Sequence, residues 1–282
     1  MSNKPYKGFE PKWLLTPAPA DSYRSIFRWG DPNFFKYPKE SLDTLMKETF
    51  KMTDDDFKEY SDDIGFDPVD LSDHPVQLAP EHIESLKKIV GERNVSTTDY
   101  DRLSVAYGFT AYDILRLRHK RVDSVPDVVL YPETTGQVEQ IVAYSTEHHI
   151  PLYVYGGGSS VTRGVEPVKG GISLDMRRNF NKVISFNEID QTITVQAGMS
   201  GPDLEKTLQS APELFDAKRQ YTCGHFPQSF EYSSVGGWTV TRGAGQNSTY
   251  YGTIADIVLS QKYATPIGTI QTSHYSREAT GP

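Results

Sequence analysis

The stretch YVYGGGSSVTRG, Tyr153 to Gly164, runs from stiff β-forming residues straight into three glycines and two serines. A strand that ends in consecutive glycines delivers bare backbone. Glycine accepts positive φ and has no Cβ, so successive N–H groups can converge on one point. Such a nest binds an anion, most often a phosphate, and the hydroxyls of Ser159, Ser160 and Thr162 stand by as further donors. A tight loop with no ligand fits the stretch equally well. Two common nucleotide loops do not fit. A Walker loop needs Gly-Lys followed by Ser or Thr, and no lysine stands there. A dinucleotide fingerprint needs a helix after its glycines, whereas TRGVEPVKGG, Thr162 to Gly171, is loop-like and leads to another strand.

Upstream, DVVLYP (Asp127 to Pro132) reads as a short apolar strand closed by proline. Thr134 opens a T-x-x-Q capping box, and Val138, Ile141 and Val142 keep helical spacing. HHIPLYVY returns to strand, completing a β-α-β unit whose second strand feeds the glycines. Downstream, GGISLDM, KVISFN and QTITVQAG predict three strands, the last two alternating like a hairpin. Ser200 caps a helix through S-x-x-D, with Leu204 and Leu208 inward. IVLSQKYATPIG, Ile257 to Gly268, is expected to be a strand with a turn at Pro266–Gly268. Further toward the N-terminus, helices are expected from Ser41, over Pro80–Val90, and over 100–121 with a break at Gly108. An acidic stretch, Asp54 to Asp70, reads as a solvated loop, and residues 1–38 as an arm. This divides the chain into an N-terminal arm and helical segment, 1–99, and a second domain, 100–282.

Composition excludes several classes. A net charge of −8 without a basic cluster speaks against nucleic-acid binding. A hydrophobic content of 37% suffices for a core. The single cysteine, Cys223, rules out an intrachain disulfide. No apolar run reaches the length of a membrane span, and the first residues lack the apolar centre of a signal peptide, so a cytoplasmic location is expected. No metal site is expected.

The second glycine cluster is more specific. GHFPQSFEYSSVGGWTVTRGAGQNSTYYG, Gly224 to Gly252, resembles the pattern of the alkylglycerone-phosphate synthases, FAD-linked oxidases of the vanillyl-alcohol-oxidase type. Gly224, His225, Pro227, Ser229, Glu231, Ser233, Val235, Gly236, Gly237, Trp238, Thr241 and Arg242 match, as do Tyr251, Gly252, Ile254, Asp256, Thr265, Pro266 and Gly268. VPDVVLYP and AGMSGPDLEKTL resemble further family segments, so the likeness extends from about Tyr100 to Pro282.

The resemblance implies an α+β fold: a PCMH-type FAD-binding fold of two α+β subdomains, preceded by a partly helical arm. It implies that Val154, Tyr155, Gly156, Gly157, Gly158, Ser159 and Ser160 cradle the FAD pyrophosphate. Gln228, Ser229, Phe230, Glu231, Tyr232, Ser233 and Ser234 form a second contact run, and Thr241, Arg242, Gly243 and Ala244 a third. Gly236 and Gly237 would let backbone approach the cofactor closely. The family has Pro at Val154 and Asp at Gln228, changes expected to alter rather than abolish FAD affinity, and ELFDAKRQY, Glu213 to Tyr221, is an insertion. No histidine precedes the glycine loop where some relatives attach flavin, so non-covalent FAD is expected, with His148 and His149 structural or surface residues. His225 and Glu231 are read as architectural. The resemblance implies that the chain is the front half of such a protein, with its catalytic residues left unassigned. Three functions are implied: a synthase exchanging the acyl group of acyl-dihydroxyacetone phosphate for a fatty alcohol, an oxidoreductase acting on a hydroxy acid or alcohol, or a non-catalytic flavin-binding subunit. The implied partner is a small-molecule or lipid-like substrate, and the resemblance admits peripheral membrane contact and a homodimer.

Overall fold

A computed structural model describes residues 16–26, 39–56 and 65–272. Most of the expected arm and the middle of the acidic stretch lie outside the described residues. Two compact units form. One takes in the described residues up to Asp70 together with Ala111–Val122; the other comprises Leu71–Thr110 and the chain from Asp123 onward. In the first, the expected helix spans Glu40–Phe50, with Leu42 and Leu45 exposed. The helix Ala111–Arg118 buries an Asp113–Arg116 ion pair at 3.3 Å. It follows a helix at Asp99–Ser104 in the second unit, so the expected break near Gly108 is real.

The second unit carries the β-α-β unit. Strands β1 (Val95–Ser96), β2 (Val128–Leu130), β3 (Leu152–Tyr155) and β4 (Ile172–Asp175) form one sheet in the order β1-β2-β4-β3. β2, β4 and β3 are parallel, with Val128 and Leu152 both in register with Ile172. The lack of alternation in DVVLYP now has its cause, because both faces of β2 are covered. Val128 and Leu130 join Leu86, Ile141, Ile172 and Leu174, which packs helices α1 (Pro80–Val90) and α2 (Thr135–Glu147) on one face. Val129 turns the other way, toward Val105, Tyr131 and Tyr155. The capping box at Thr134 is formed, its hydroxyl accepting from Gln137 N at 3.2 Å. Asp127 fixes the entry to β2 and β4 by accepting from Gln77 N and Gly171 N, each at 2.6 Å.

The hairpin of β5 (Val183–Asn187) and β6 (Thr192–Val195) is antiparallel, as its alternation predicts. It packs with helices α3 (Gly201–Gln209) and α4 (Val235–Thr241) around Met199, Leu204, Leu208, Trp238 and Ile254. Ser200 caps α3, accepting from Asp203 N at 3.1 Å. The expected long strand from Ile257 is different. Thr253 and Asp256 form a capping box that starts a short helix, Ile254–Ile257. Extended chain begins only at β7 (Lys262–Thr265), which turns at Pro266 and Ile267 into β8 (Gly268–Gln271).

Candidate cofactor site

The glycine loop leaves the carboxyl end of β3, at one edge of the parallel sheet. Val154 is exposed and Tyr155 is buried. The Tyr155 hydroxyl donates to Tyr107 O at 3.4 Å, and the Arg177 guanidinium lies 4.5 Å above its ring. Arg177 is bidentate to Asp175 at the end of β4, at 2.6 and 3.0 Å. Burial alone would lower the Arg177 pKa; the Asp175 carboxylate overrides it and leaves the pKa raised, so the guanidinium stays charged. The sequence reading did not single out this pair. Its signal was an Asp and an Arg two residues apart at the end of an apolar strand.

The main-chain N–H groups of Gly157, Gly158, Ser159 and Ser160 donate no hydrogen bond among the described residues, and neither do the two serine hydroxyls. Gly158 is buried and the other three are half-buried. Backbone donors so placed are rarely left unpaired in native proteins. Together they make a row of donors suited to an anion.

The loop packs on the second predicted run. A Cβ on Gly157 would collide with Tyr232 O and Ser233 Cα, and one on Gly156 with Ser234 Oγ. At Gly158, φ is +75°, and a Cβ would strike the Tyr155 hydroxyl. These glycines therefore let the chain approach itself. Within the second run, Gln228 and Glu231 are exposed, and Phe230, Glu231 and Tyr232 form one 3-10 turn. Ser233 and Ser234 are buried with their hydroxyls committed. Ser233 Oγ donates to Ser229 O at 2.7 Å and accepts from Trp238 Nε1 at 2.6 Å. Ser234 Oγ caps α4, accepting from Gly237 N at 3.3 Å.

Helix α4 links this run to the third. Gly236 lies against Ala197, which fills the space that a Cβ would need, so here too the close approach is internal. A Cβ on Gly237 would meet Ser234 Oγ at 3.3 Å. Thr241 Oγ1 donates to Gly237 O at 2.8 Å, and Arg242 turns the chain out of the helix at φ +52°. The Arg242 side chain is exposed and makes no ion pair among the described residues. Gly243 and the exposed Ala244 complete the turn. The structure thus joins the first and second runs directly, while the third lies a helix length away, about 10 Å at seven residues. His148 caps the end of α2 with its ring tilted against that of Tyr144, and His149 is exposed beside it. No helix among the described residues is long and apolar enough to cross a membrane.

Residues 126–273 match the family model of an FAD binding domain. The chain is 31% identical over 210 residues to an alkyldihydroxyacetonephosphate synthase of Dictyostelium discoideum, covering 73% of this chain and 33% of that protein. It is 26% identical over 208 residues to the mitochondrial D-lactate dehydrogenase (cytochrome) 1 of Saccharomyces cerevisiae, again covering 73% and 33%. A solved alkyldihydroxyacetonephosphate synthase structure matches with a TM-score of 0.66 at 31% identity, over 71% of this chain and 37% of that one. The chain spans about a third of the length of the curated relatives it matches.

Proposed function

This chain belongs to the FAD-binding domain family and has its α+β, PCMH-type fold, and we propose that it holds FAD non-covalently at the loop Gly156–Ser160. The observation that carries the reading is the row of unpaired N–H and hydroxyl donors from Gly157 to Ser160. Two phosphates need such convergent donors. Arg242 offers an unpaired cation on the same lobe as the second run. Bound FAD would supply the isoalloxazine ring, whose N5 carries the chemistry of such enzymes. The non-covalent mode is supported by two features. No histidine stands between Pro151 and Gly164. Burial pushes the Cys223 thiol up to about 11, which leaves it a poor nucleophile near neutrality.

The reaction we favour exchanges the acyl group of acyl-dihydroxyacetone phosphate for a fatty alcohol, releasing the fatty acid with no net redox change. The similarity to alkyldihydroxyacetonephosphate synthases supports it. A second reading, oxidation of a hydroxy acid, draws on the D-lactate dehydrogenase relative. Product analysis separates them. Incubation with a labelled fatty alcohol and acyl-dihydroxyacetone phosphate should give a labelled ether and free fatty acid without an electron acceptor. Reduction of an acceptor dye by D-lactate, with no ether formed, would replace the first reading with the second.

A further inference from the structure

His225 sits two residues after the lone cysteine and is 1% exposed. Neither Nδ1 nor Nε2 has a hydrogen-bond partner among the described residues. A neutral imidazole carries one donor and one acceptor, and burying both unpaired opposes folding. A phenylalanine would fill a similar space without that cost. Packing explains why the ring is held there and leaves its polarity unexplained.

The surroundings are apolar or already committed. From α4, Trp238 meets the ring edge-on, with centroids 5.0 Å apart, and its own N–H is given to Ser233. From the turn after α4, Gly243 lies so close that a Cβ there would be 3.7 Å from Nε2. The turn is fastened over this segment by Gln246 N, which donates to Phe226 O at 2.9 Å. The charged residue on the turn, Arg242, is exposed. On the histidine's own segment, Cys223 gives its thiol to His225 O. The carboxylate that reaches this segment, Glu205 from α3, is occupied by Cys223 N and Thr222 Oγ1. From the helix Ile254–Ile257, Asp256 is occupied in capping Thr253. Neither ring nitrogen has a carboxylate as a hydrogen-bond partner among the described residues, so a protonated ring would gain no ion-paired hydrogen bond to offset its burial.

We propose that His225 is an acid-sensitive latch beneath the Thr241–Ala244 turn: neutral, it packs as a plug; protonated, it leaves its site and the turn opens. Burial holds its pKa below the ordinary 6.5, in keeping with that geometry. The opened form takes up the proton more readily than the closed one. The closed form is therefore fully favoured above about pH 6.5 and loses ground as the pH falls below it. The turn is one of the runs expected to contact FAD, so acid should also weaken cofactor binding. That consequence rests on the FAD reading; the latch itself does not.

Two readouts keep the ideas apart. Trp238 reports on the ring beside it, so intrinsic tryptophan fluorescence should change between pH 7.5 and 5 in the parent protein. It should change little in His225→Phe or in His225→Gln, a polar variant that cannot titrate. FAD retention over the same range should fall at least about tenfold in the parent and stay nearly level in both variants. Matching pH profiles in parent and variants would overturn the latch. A parent protein that takes up no FAD at pH 7.5, yet shows the fluorescence transition only with His225 present, would leave the latch standing and sink the FAD reading.

Discussion

Replacing Gly157 with alanine probes the seam on which the candidate site depends. The residue is not at positive φ, so the substitution adds no backbone strain. Its effect is steric. The new methyl would land on Tyr232 O and Ser233 Cα, both backbone atoms without a soft side chain to yield. Ordinary contact begins at 3.4 Å, so the two runs must part by about 1.4 Å at Tyr232 O. Overpacking of this kind costs about 1–3 kcal/mol. For a domain of this size, about 2 kcal/mol lowers Tm by roughly 4–8 °C. Gly164→Ala is the matched control, with nothing within 4 Å of its added methyl and no positive φ. It should leave Tm unchanged or raise it slightly. Thermal melts of the cofactor-free proteins decide the matter. A Gly157→Ala melt that coincides with the parent's would refute the packing argument. Because this substitution strains the fold itself, a loss of FAD affinity in it would not by itself implicate the glycine in binding.

Other expectations follow from the same contacts. Ser233→Ala strips the buried Trp238 indole of its acceptor and should cost about 1–3 kcal/mol, measured by urea unfolding. Arg242→Ala should leave the cofactor-free Tm within about 1 °C, since the side chain is exposed and unpaired, while weakening FAD about tenfold in a fluorescence titration. Equal affinity would remove Arg242 from the site. Cys223 should resist iodoacetamide at pH 8 in the folded protein and react quickly once denatured, because its thiol is pushed up to about 11. Rapid labelling of the native form would contradict that burial.

Much of the second unit was legible because its signals are local. The unbroken apolar run of β2, the capping box at Thr134, the N-cap at Ser200, and the alternation of β5 and β6 each specify an element from neighbours a few residues apart. Helix α4 was not legible. Its sequence, VGGWTVT, joins two glycines to β-branched residues, all poor helix formers. It is held instead by the Ser234 cap, the buried Trp238 and the approach of Gly236 to Ala197. The short helix at Ile254 had its signal in Thr253 and Asp256, masked by the apolar residues that follow. The roles of individual glycines were likewise closed to sequence reading. Bare backbone at Gly156, Gly157 and Gly236 faces the protein's own chain, and only the fold brings those partners near. The motif identified the segments of the candidate site; the division between packing and exposed donors required the structure.

The most direct test of the central claim is the visible absorption spectrum of the purified protein after incubation with FAD and removal of the excess, repeated after acid precipitation. Flavin bands on the native protein, with all the pigment released into the acid supernatant, are the predicted result. Pigment that stays in the precipitate would contradict the non-covalent mode, and a protein that remains colourless after incubation would contradict the site.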